Sequence, residues 1–89
     1  MEFRWSEPSA EHIARHGVTP DEAEEAVLGA RRPYPLHRPD GRWLVWGSTA
    51  AGRLLQVVYV LDDDAWVFVI HARPLTDNEK RRFRRRRRR

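Results

Sequence analysis

Two apolar runs in the second half of the chain most constrain its fold. Residues 53–61 (RLLQVVYVL) and 65–70 (AWVFVI) are rich in β-branched and aromatic residues, and the aspartates of 62–64 separate them. Runs of this length and composition on either side of a polar turn are typical of a β-hairpin. Because the runs are apolar on both faces, we predict that helices or a partner chain cover both faces at least in part.

The centre of the turn decides which hairpin residues face each other. A turn symmetric about Asp63 places Arg53 opposite Arg73 and Leu55 opposite His71. Like charges opposed across two strands are destabilising, so we predict that Arg53 and Arg73 share a bound anion such as a phosphate. The alternative is that both guanidinium groups point into solvent or pair with nearby carboxylates. A slip of one residue at the turn would place them on opposite faces.

Two helices are indicated before the sheet. Ser6 is an N-cap residue, and we predict the first helix from Glu7 to His16, with Gly17 in the left-handed position after its end. The segment 19–22 (TPDE) combines a threonine cap, a proline at the first helical position and a glutamate that bonds back to the cap. This pattern begins a second helix that we predict to reach Gly29.

The rest of the chain indicates further strands and a last helix. Phe3 and Trp5 suggest a short opening strand, and residues 43–48 form another strand after a proline-rich connection. Thr76 and Glu79 form a second capping box, which starts a basic helix. The sequence therefore predicts an α+β fold with two N-terminal helices, an antiparallel meander of three to four strands and a C-terminal basic helix.

Charge is unevenly distributed along the chain. Residues 80–89 hold nine of the 17 Lys and Arg and none of the 13 Asp and Glu, so residues 1–79 carry eight cations against 13 acids, a net charge of −5. Attraction to a polyanion is therefore local to the basic helix and the sheet end beside it. We predict a single domain over residues 1–83, followed by a polyarginine tail over residues 84–89 that is frayed or disordered.

Composition also bears on the compartment. The chain has no cysteine, which excludes disulfides and thiolate zinc sites and fits a reducing environment. The start of the sequence lacks the apolar run of a signal peptide, and no segment has the roughly 18 apolar residues that suggest a membrane span. A cytoplasmic location is expected.

Taken in order, these residues resemble the BrnT family of bacterial type II toxins. The resemblance rests on segments 3–5 (FRW), 14–23 (ARHGVTPDEA), 52–55 (GRLL) and 70–73 (IHAR), followed by the arginine-rich helix. It covers the chain except residues 30–41, and His71 stands where the family usually has a small hydroxyl residue. The resemblance implies a RelE-like fold, ribonuclease activity that arrests translation, and a separately encoded antitoxin that masks the toxin.

The resemblance also implies site residues, because Arg53, Arg73, Glu79 and Arg82 occupy matching positions. In RNA cleavage without a metal, a 2′-hydroxyl attacks the neighbouring phosphate, and fixed arginines stabilise the charge that develops. His71 is a candidate acid or base, with the alternative that it is a half-buried strand residue bonded to backbone. Glu79 has the alternative role of capping its helix. No cofactor is expected.

A metal site is not predicted either. His12 and His16 are separated by one helical turn, but no third ligand is evident in the sequence.

A second group of residues is predicted to bind RNA. Trp46 is the aromatic residue most expected to border the site and stack on a base, across from Leu55, whereas the other aromatic residues favour core packing. Ser48 is expected close to Arg53. The cations of the last helix are expected to contact RNA phosphates, with a solvated face as the alternative: Lys80, Arg81, Arg84 and Arg85.

The predicted partners are RNA, either free or associated with the ribosome, and a cognate antitoxin protein. Two alternatives stay open. One is a noncatalytic module of the same fold that binds protein or RNA, and the other is a homodimer formed through the sheet.

Overall fold

The computed structural model describes residues 1–87, which form three α-helices and one four-stranded antiparallel sheet. The strands are neighbours in the same order as they occur in the sequence. This confirms the predicted α+β meander with two N-terminal helices and a C-terminal basic helix. The elements are α1 (Glu7–Ala14), α2 (Pro20–Leu28), β1 (Leu36–His37), β2 (Trp43–Ser48), β3 (Leu54–Leu61), β4 (Val67–Pro74) and α3 (Asp77–Arg87).

Side-chain caps define where the helices begin. At α2, the Thr19 backbone N–H donates to the Glu22 carboxylate at 3.0 Å, and the Glu22 N–H donates to the Thr19 hydroxyl at 3.2 Å. The same reciprocal pair forms between Thr76 and Glu79 at the start of α3. These bonds satisfy backbone donors that have no partner within the helix, and they confirm the predicted capping boxes.

Helix α1 ends two residues earlier than predicted, at Ala14. Its last turn tightens, because the N–H of Gly17 donates to the carbonyl oxygen of Ala14 at 2.9 Å. Gly17 has φ +72°, and the following N–H of Val18 returns to the carbonyl oxygen of Ile13 at 3.2 Å. Gly17 therefore has the predicted left-handed conformation after the helix. The residues between Ala14 and Gly17 form a tighter turn in place of the predicted last turn of the α-helix.

Apolar side chains pack on both faces of the sheet. One face and helices α1 and α2 enclose the helix-side core: Ile13, Val18, Ala23, Ala26, Val27, Val45, Leu55, Val57, Tyr59, Val67, Val69 and Ala72. On the other face, α3 and the connection before β1 complete a smaller α3-side cluster of Tyr34, Trp46, Leu54, Leu75 and Phe83. The two-sided cover follows from strands that are apolar on both faces.

The β3–β4 hairpin differs from its predicted register. Asp62 Oδ1 accepts hydrogen bonds from the N–H groups of Asp64 and Trp66 at 2.9 and 3.0 Å, and Ala65 has φ +61°. The turn is thus longer than the three aspartates and pairs Leu61 with Val67.

A β-bulge shifts the register once more. Tyr59 pairs with Val69 but Val58 pairs with His71, so Ile70 is the extra residue of β4. Arg73 therefore lies opposite Gln56, and the predicted pairing of Arg53 with Arg73 and of Leu55 with His71 is wrong. An extra residue in one strand also changes which side chains beyond it share a face.

Three smaller features complete the fold. Phe3 forms an isolated parallel bridge with Val67 in place of the expected opening strand. Residues 84–87 of the predicted tail are part of α3, and residues 88 and 89 lie outside the described part of the chain. Among the described residues, no helix has the length and apolar character needed to cross a bilayer.

Candidate active site

Arg53 lies on the side of the sheet that carries α1 and α2. Its Nη1 donates to the carbonyl oxygen of Gly17 at 2.7 Å and to both carboxylate oxygens of Glu22 at 3.1 Å. The backbone N–H of Thr19 and the Arg53 guanidinium together hold the pKa of Glu22 below its usual value. Arg53 therefore ties the start of β3 to the connection between α1 and α2.

Arg73 lies on the opposite side of the sheet, where α3 packs. Its Nη1 donates to Glu79 at 2.7 Å and to the carbonyl oxygen of Pro74 at 3.1 Å. Its Nη2 donates to Glu79 at 2.8 Å and to the side-chain oxygen of Gln56 at 3.2 Å. Both terminal nitrogens thus have two acceptors each, all within the protein.

Arg53 and Arg73 cannot both bind the same phosphate group in this arrangement. Arg53 contacts elements of the helix-side core, whereas Arg73 contacts Gln56 and Glu79 on the α3 side. The predicted shared anion is therefore wrong. The open alternative, pairing of each guanidinium with a nearby carboxylate, is what the structure shows.

Glu79 has both of the roles that the sequence left open. Besides accepting from Arg73, its Oε1 accepts the backbone N–H of Thr76 at 2.9 Å as the capping residue of α3. The Arg73 guanidinium, with a further contribution from the Thr76 backbone, lowers the pKa of Glu79 to about 2. The carboxylate is therefore ionised at neutral pH and fixes the first turn of α3 to β4.

Trp46 is buried, with an exposed fraction of only 7%. Its indole N–H donates to Gln56 at 3.0 Å, its ring stacks on Tyr34 with centroids 6.0 Å apart, and Phe83 meets it at 6.5 Å. The guanidinium carbon of Arg82 lies 5.3 Å from the ring centroid. The prediction that Trp46 lies across from Leu55 is wrong, because Trp46 pairs with Gln56 and is part of the α3-side cluster. Its stacking on a base stays a prediction.

A cavity of about 270 Å³ lies beside the α3-side cluster. Its polar lining comes from Arg31 and Ser48, and Trp46 and Phe83 supply apolar walls. Ser48 pairs with Leu54, next to Arg53 in the chain, and its hydroxyl donates to the carbonyl oxygen of Thr49 at 3.0 Å. Arg31 is exposed and was not predicted as a site residue. It lies in the proline-rich connection, and the sequence does not indicate the path of that connection over the sheet.

Helix α3 presents its cations around one apolar anchor. Phe83 is buried in the α3-side cluster, whereas Arg81, Arg82, Arg84 and Arg85 are exposed and Lys80 is half-buried. This arrangement follows from helical geometry, because burial of one side chain leaves the other faces of a helix in solvent. The residues that were predicted to bind RNA phosphates are therefore accessible on a helix fixed by Arg73 and Glu79.

Three histidines meet where α1 packs beside β4. The ring centroids of His16 and His71 are 5.4 Å apart, those of His12 and His16 are 6.2 Å apart, and those of His12 and His71 are 6.4 Å apart. Burial, and then the nearby charges of His16, Arg73 and His12, lower the pKa of His71. Among the described residues, no group of three or more histidine or acidic side chains is arranged to hold a metal ion.

The sequence alone did not indicate that the three histidine rings lie together, nor that Gln56 links two side chains. Gln56 was visible as the polar residue within an apolar strand, and it joins Trp46 to Arg73 through its side-chain oxygen. The helical spacing of His12 and His16 is visible in the sequence. No sequence pattern near these residues indicates that α1 packs beside the strand that holds His71.

Comparison with known proteins gives a match of fold. The structure is similar to the crystal structure of the ribonuclease toxin BrnT of Brucella abortus, with a TM-score of 0.69 and 23% sequence identity over 86% of this chain and 99% of that chain. No family model matches the sequence, and no curated protein matches it. The chain therefore has the fold of this ribonuclease toxin.

Proposed function

We propose that this protein is a BrnT-like toxin, a metal-independent endoribonuclease that inhibits translation in the cytoplasm and that a cognate antitoxin holds inactive. The observation that carries the proposal is the fold, which the chain shares with a ribonuclease toxin over almost the whole of that protein. Fold alone does not establish an activity, so the surface chemistry must also suit RNA.

The charge distribution supports RNA as the substrate. Residues 1–79 have a net charge of −5, and nine cations follow within residues 80–89. Helix α3 holds the first of these cations at the surface, beside the cavity that Arg31 and Ser48 line. A local cationic surface on an acidic body favours a polyanion that lies along α3, whether that RNA is free or on the ribosome.

Among the predicted catalytic residues, Arg82 is the proposed contact to a phosphate of the bound RNA. It is exposed, and its guanidinium lies over the Trp46 ring, which restricts its position without using its outward donors. Arg73 and Glu79 hold α3 in place in this proposal, and Arg53 has no contact with the same phosphate because it is bound on the other face.

The cleavage step is attack of a ribose 2′-oxygen on the adjacent phosphorus, with loss of the 5′-oxygen of the next nucleotide. Negative charge develops on the phosphoryl oxygens during this step. A guanidinium already held in position stabilises that charge with little reorganisation, and removal of one such donor typically lowers the rate about 100- to 1,000-fold.

The test is cleavage of single-stranded RNA by the purified protein in EDTA. We expect products that end in a 2′,3′-cyclic phosphate, and we expect Arg82→Ala to lower the cleavage rate about 100-fold because a fixed cation is removed. Arg42→Ala is the matched control, since Arg42 is also exposed but precedes β2 at the end away from Trp46. Thermal unfolding of each variant separates loss of activity from loss of fold.

One observation favours a second function, a noncatalytic module that binds RNA or protein. Both Arg53 and Arg73 are already paired with carboxylates, which leaves neither free for a phosphate in this structure. A native protein that binds RNA in EDTA but leaves it intact would replace the ribonuclease proposal with this module. A homodimer formed through the sheet would be seen as a doubled mass in solution.

A further inference from the structure

The three histidines have a geometry that suits proton transfer on one phosphate. His16 and His71 are the nearest pair, with ring planes inclined at 64° and centroids 5.4 Å apart. A general acid or base must come within about 2.6–3.2 Å of the oxygen that it serves. Two imidazoles at this separation can each reach a different oxygen of a single phosphate group.

A cleft that is lined by His12 has room for part of a nucleotide. It has a volume of about 340 Å³ and lies between α1 and β4. Its walls are Pro8, Phe68 and Ile70, with Ser6, Ser9 and His12 at the polar side. Binding sites typically combine apolar walls with a few polar groups in this way, and volumes begin at about 300 Å³.

The charged neighbours of His71 favour its neutral form. From α1 these are His12 and His16, and from β4 the neighbour is Arg73, whose own partner on α3 is Glu79. The facing residue on β3 is Val58, which does not titrate. Burial, followed by His16, Arg73 and His12, lowers the pKa of His71, which favours the unprotonated imidazole that a general base requires.

We propose that His71 is the general base and His16 the general acid of RNA cleavage, and that the cleft between α1 and β4 holds the adjoining nucleotide. This inference rests on the proposed ribonuclease function and names its proton-transfer groups. It places the scissile phosphate at His16 and His71, and Arg82 over Trp46 contacts another phosphate of the same strand. His12 borders both the cleft and the pair, and its role is to position the substrate.

In the cleavage step, His71 gains one proton and His16 gives up one proton. Neutral His71 removes the 2′-hydroxyl proton as the 2′-oxygen bonds to phosphorus. The bond between phosphorus and the 5′-oxygen breaks, and imidazolium His16 gives its proton to that oxygen. The products are a 2′,3′-cyclic phosphate and a free 5′-hydroxyl, and the two histidines end with their protonation states exchanged.

The first experiment compares His71→Gln, His16→Gln and the control His37→Gln on single-stranded RNA in EDTA from about pH 5 to 9. His37 stacks on Trp43 at 4.2 Å and lies on β1, away from the other three histidines. We expect His71→Gln and His16→Gln each to lower the rate about 100-fold or more. His71→Gln should also remove the acidic limb of the pH profile.

A second substrate separates proton donation from a structural effect. When sulfur replaces the 5′-bridging oxygen, the leaving thiolate needs no proton. His16→Gln should then cleave within about 3-fold of the native rate, whereas His71→Gln should stay slow because the 2′-hydroxyl still needs a base. If His16→Gln is equally slow on both substrates, the acid assignment is overturned.

The outcomes distinguish this inference from the function on which it rests. If the native protein cuts RNA and both glutamine variants cut it at similar rates with unchanged pH profiles, the histidine assignment fails and the ribonuclease stands. If the native protein does not cut RNA at all, the proposed function fails and the assignment fails with it.

Discussion

Arg73 and Glu79 connect β4 to the first turn of α3 through two hydrogen bonds of 2.7 and 2.8 Å. The exposed fractions of the two side chains are 28% and 17%, so water competes only weakly for these bonds. A bidentate pair of this kind is stronger than a single surface ion pair. This pair, together with the buried Phe83, therefore fixes the orientation of the basic helix.

The low pKa of Glu79 makes this pair sensitive to acid. Its ionised form stabilises the folded chain above the ordinary value of 4.5, and that contribution is lost as pH falls toward about 2. We expect Glu79→Gln to reduce the free energy of unfolding by about 1–2 kcal/mol at pH 7. The difference from the native protein should shrink as pH falls below 4.5. Urea unfolding at several pH values measures it.

The exposed turn residue Asp63 supplies the control for this prediction. Asp63→Asn removes a carboxylate of similar charge that does not join two elements, and we expect a change within about 0.5 kcal/mol. A Glu79→Gln difference that stays constant from neutral to acidic pH would show that the ion pair is not its cause.

Single residues differ in how well their roles follow from the sequence. The caps Thr19 and Thr76 were identified correctly, because their partners lie three residues away in the chain. The environments of Trp46 and Arg73 depend on which strand residue lies across from each. Asp62 and the bulge at Ile70 set that register through hydrogen bonds that composition does not specify.

At the scale of elements, α2 and β2 approach each other closely at Gly47. A Cβ atom on Gly47 would overlap the backbone carbonyl oxygen of Ala26. Neither the strand nor the helix can give way easily, because both Val45 and Ala26 are fully buried in the helix-side core. The absence of a side chain at Gly47 therefore sets the distance between helix and sheet.

We predict that Gly47→Ala destabilises the protein by about 1–3 kcal/mol, since the added methyl group must push α2 away from the sheet. Chemical denaturation measures the effect. Ala51→Ser, in the exposed turn before β3, adds an atom of similar size without a buried neighbour and should change stability by less than about 0.5 kcal/mol. Equal stabilities of the two variants would contradict the close approach.

Most elements were predictable because their signals are local. Capping boxes, proline at the first helical position and runs of β-branched residues gave three helices and the main strands. The docking of α1 beside β4 was not predictable, since it depends on packing between segments about 55 residues apart. The proximity of His16 and His71 depends on the same packing and was therefore not predictable either.

For the whole molecule, charge is separated along the chain. Residues 1–79 hold eight cations and 13 acids, and nine cations follow in residues 80–89. In the proposed function, this separation attracts an RNA strand along α3 and repels it from the acidic part of the molecule, which favours one orientation of encounter.

We predict that removal of residues 84–89 weakens binding to single-stranded RNA and reduces its salt dependence, by about 0.7 in the logarithmic slope for each phosphate that the shortened chain no longer neutralises. Fluorescence anisotropy over a range of salt concentrations measures both quantities. A chain with six glutamines in place of the six arginines keeps the length and should behave like the truncated protein. An unchanged slope in both variants would assign RNA binding to other residues.

The two apolar groups on either side of the sheet differ greatly in size, with twelve buried residues in the helix-side core and five in the α3-side cluster. Separation of α3 from the sheet would leave the helix-side core intact but would expose the apolar side chains of Trp46, Leu54 and Leu75 to water. The cost of exposing this small cluster therefore keeps the cations of α3 at a fixed place on the protein surface.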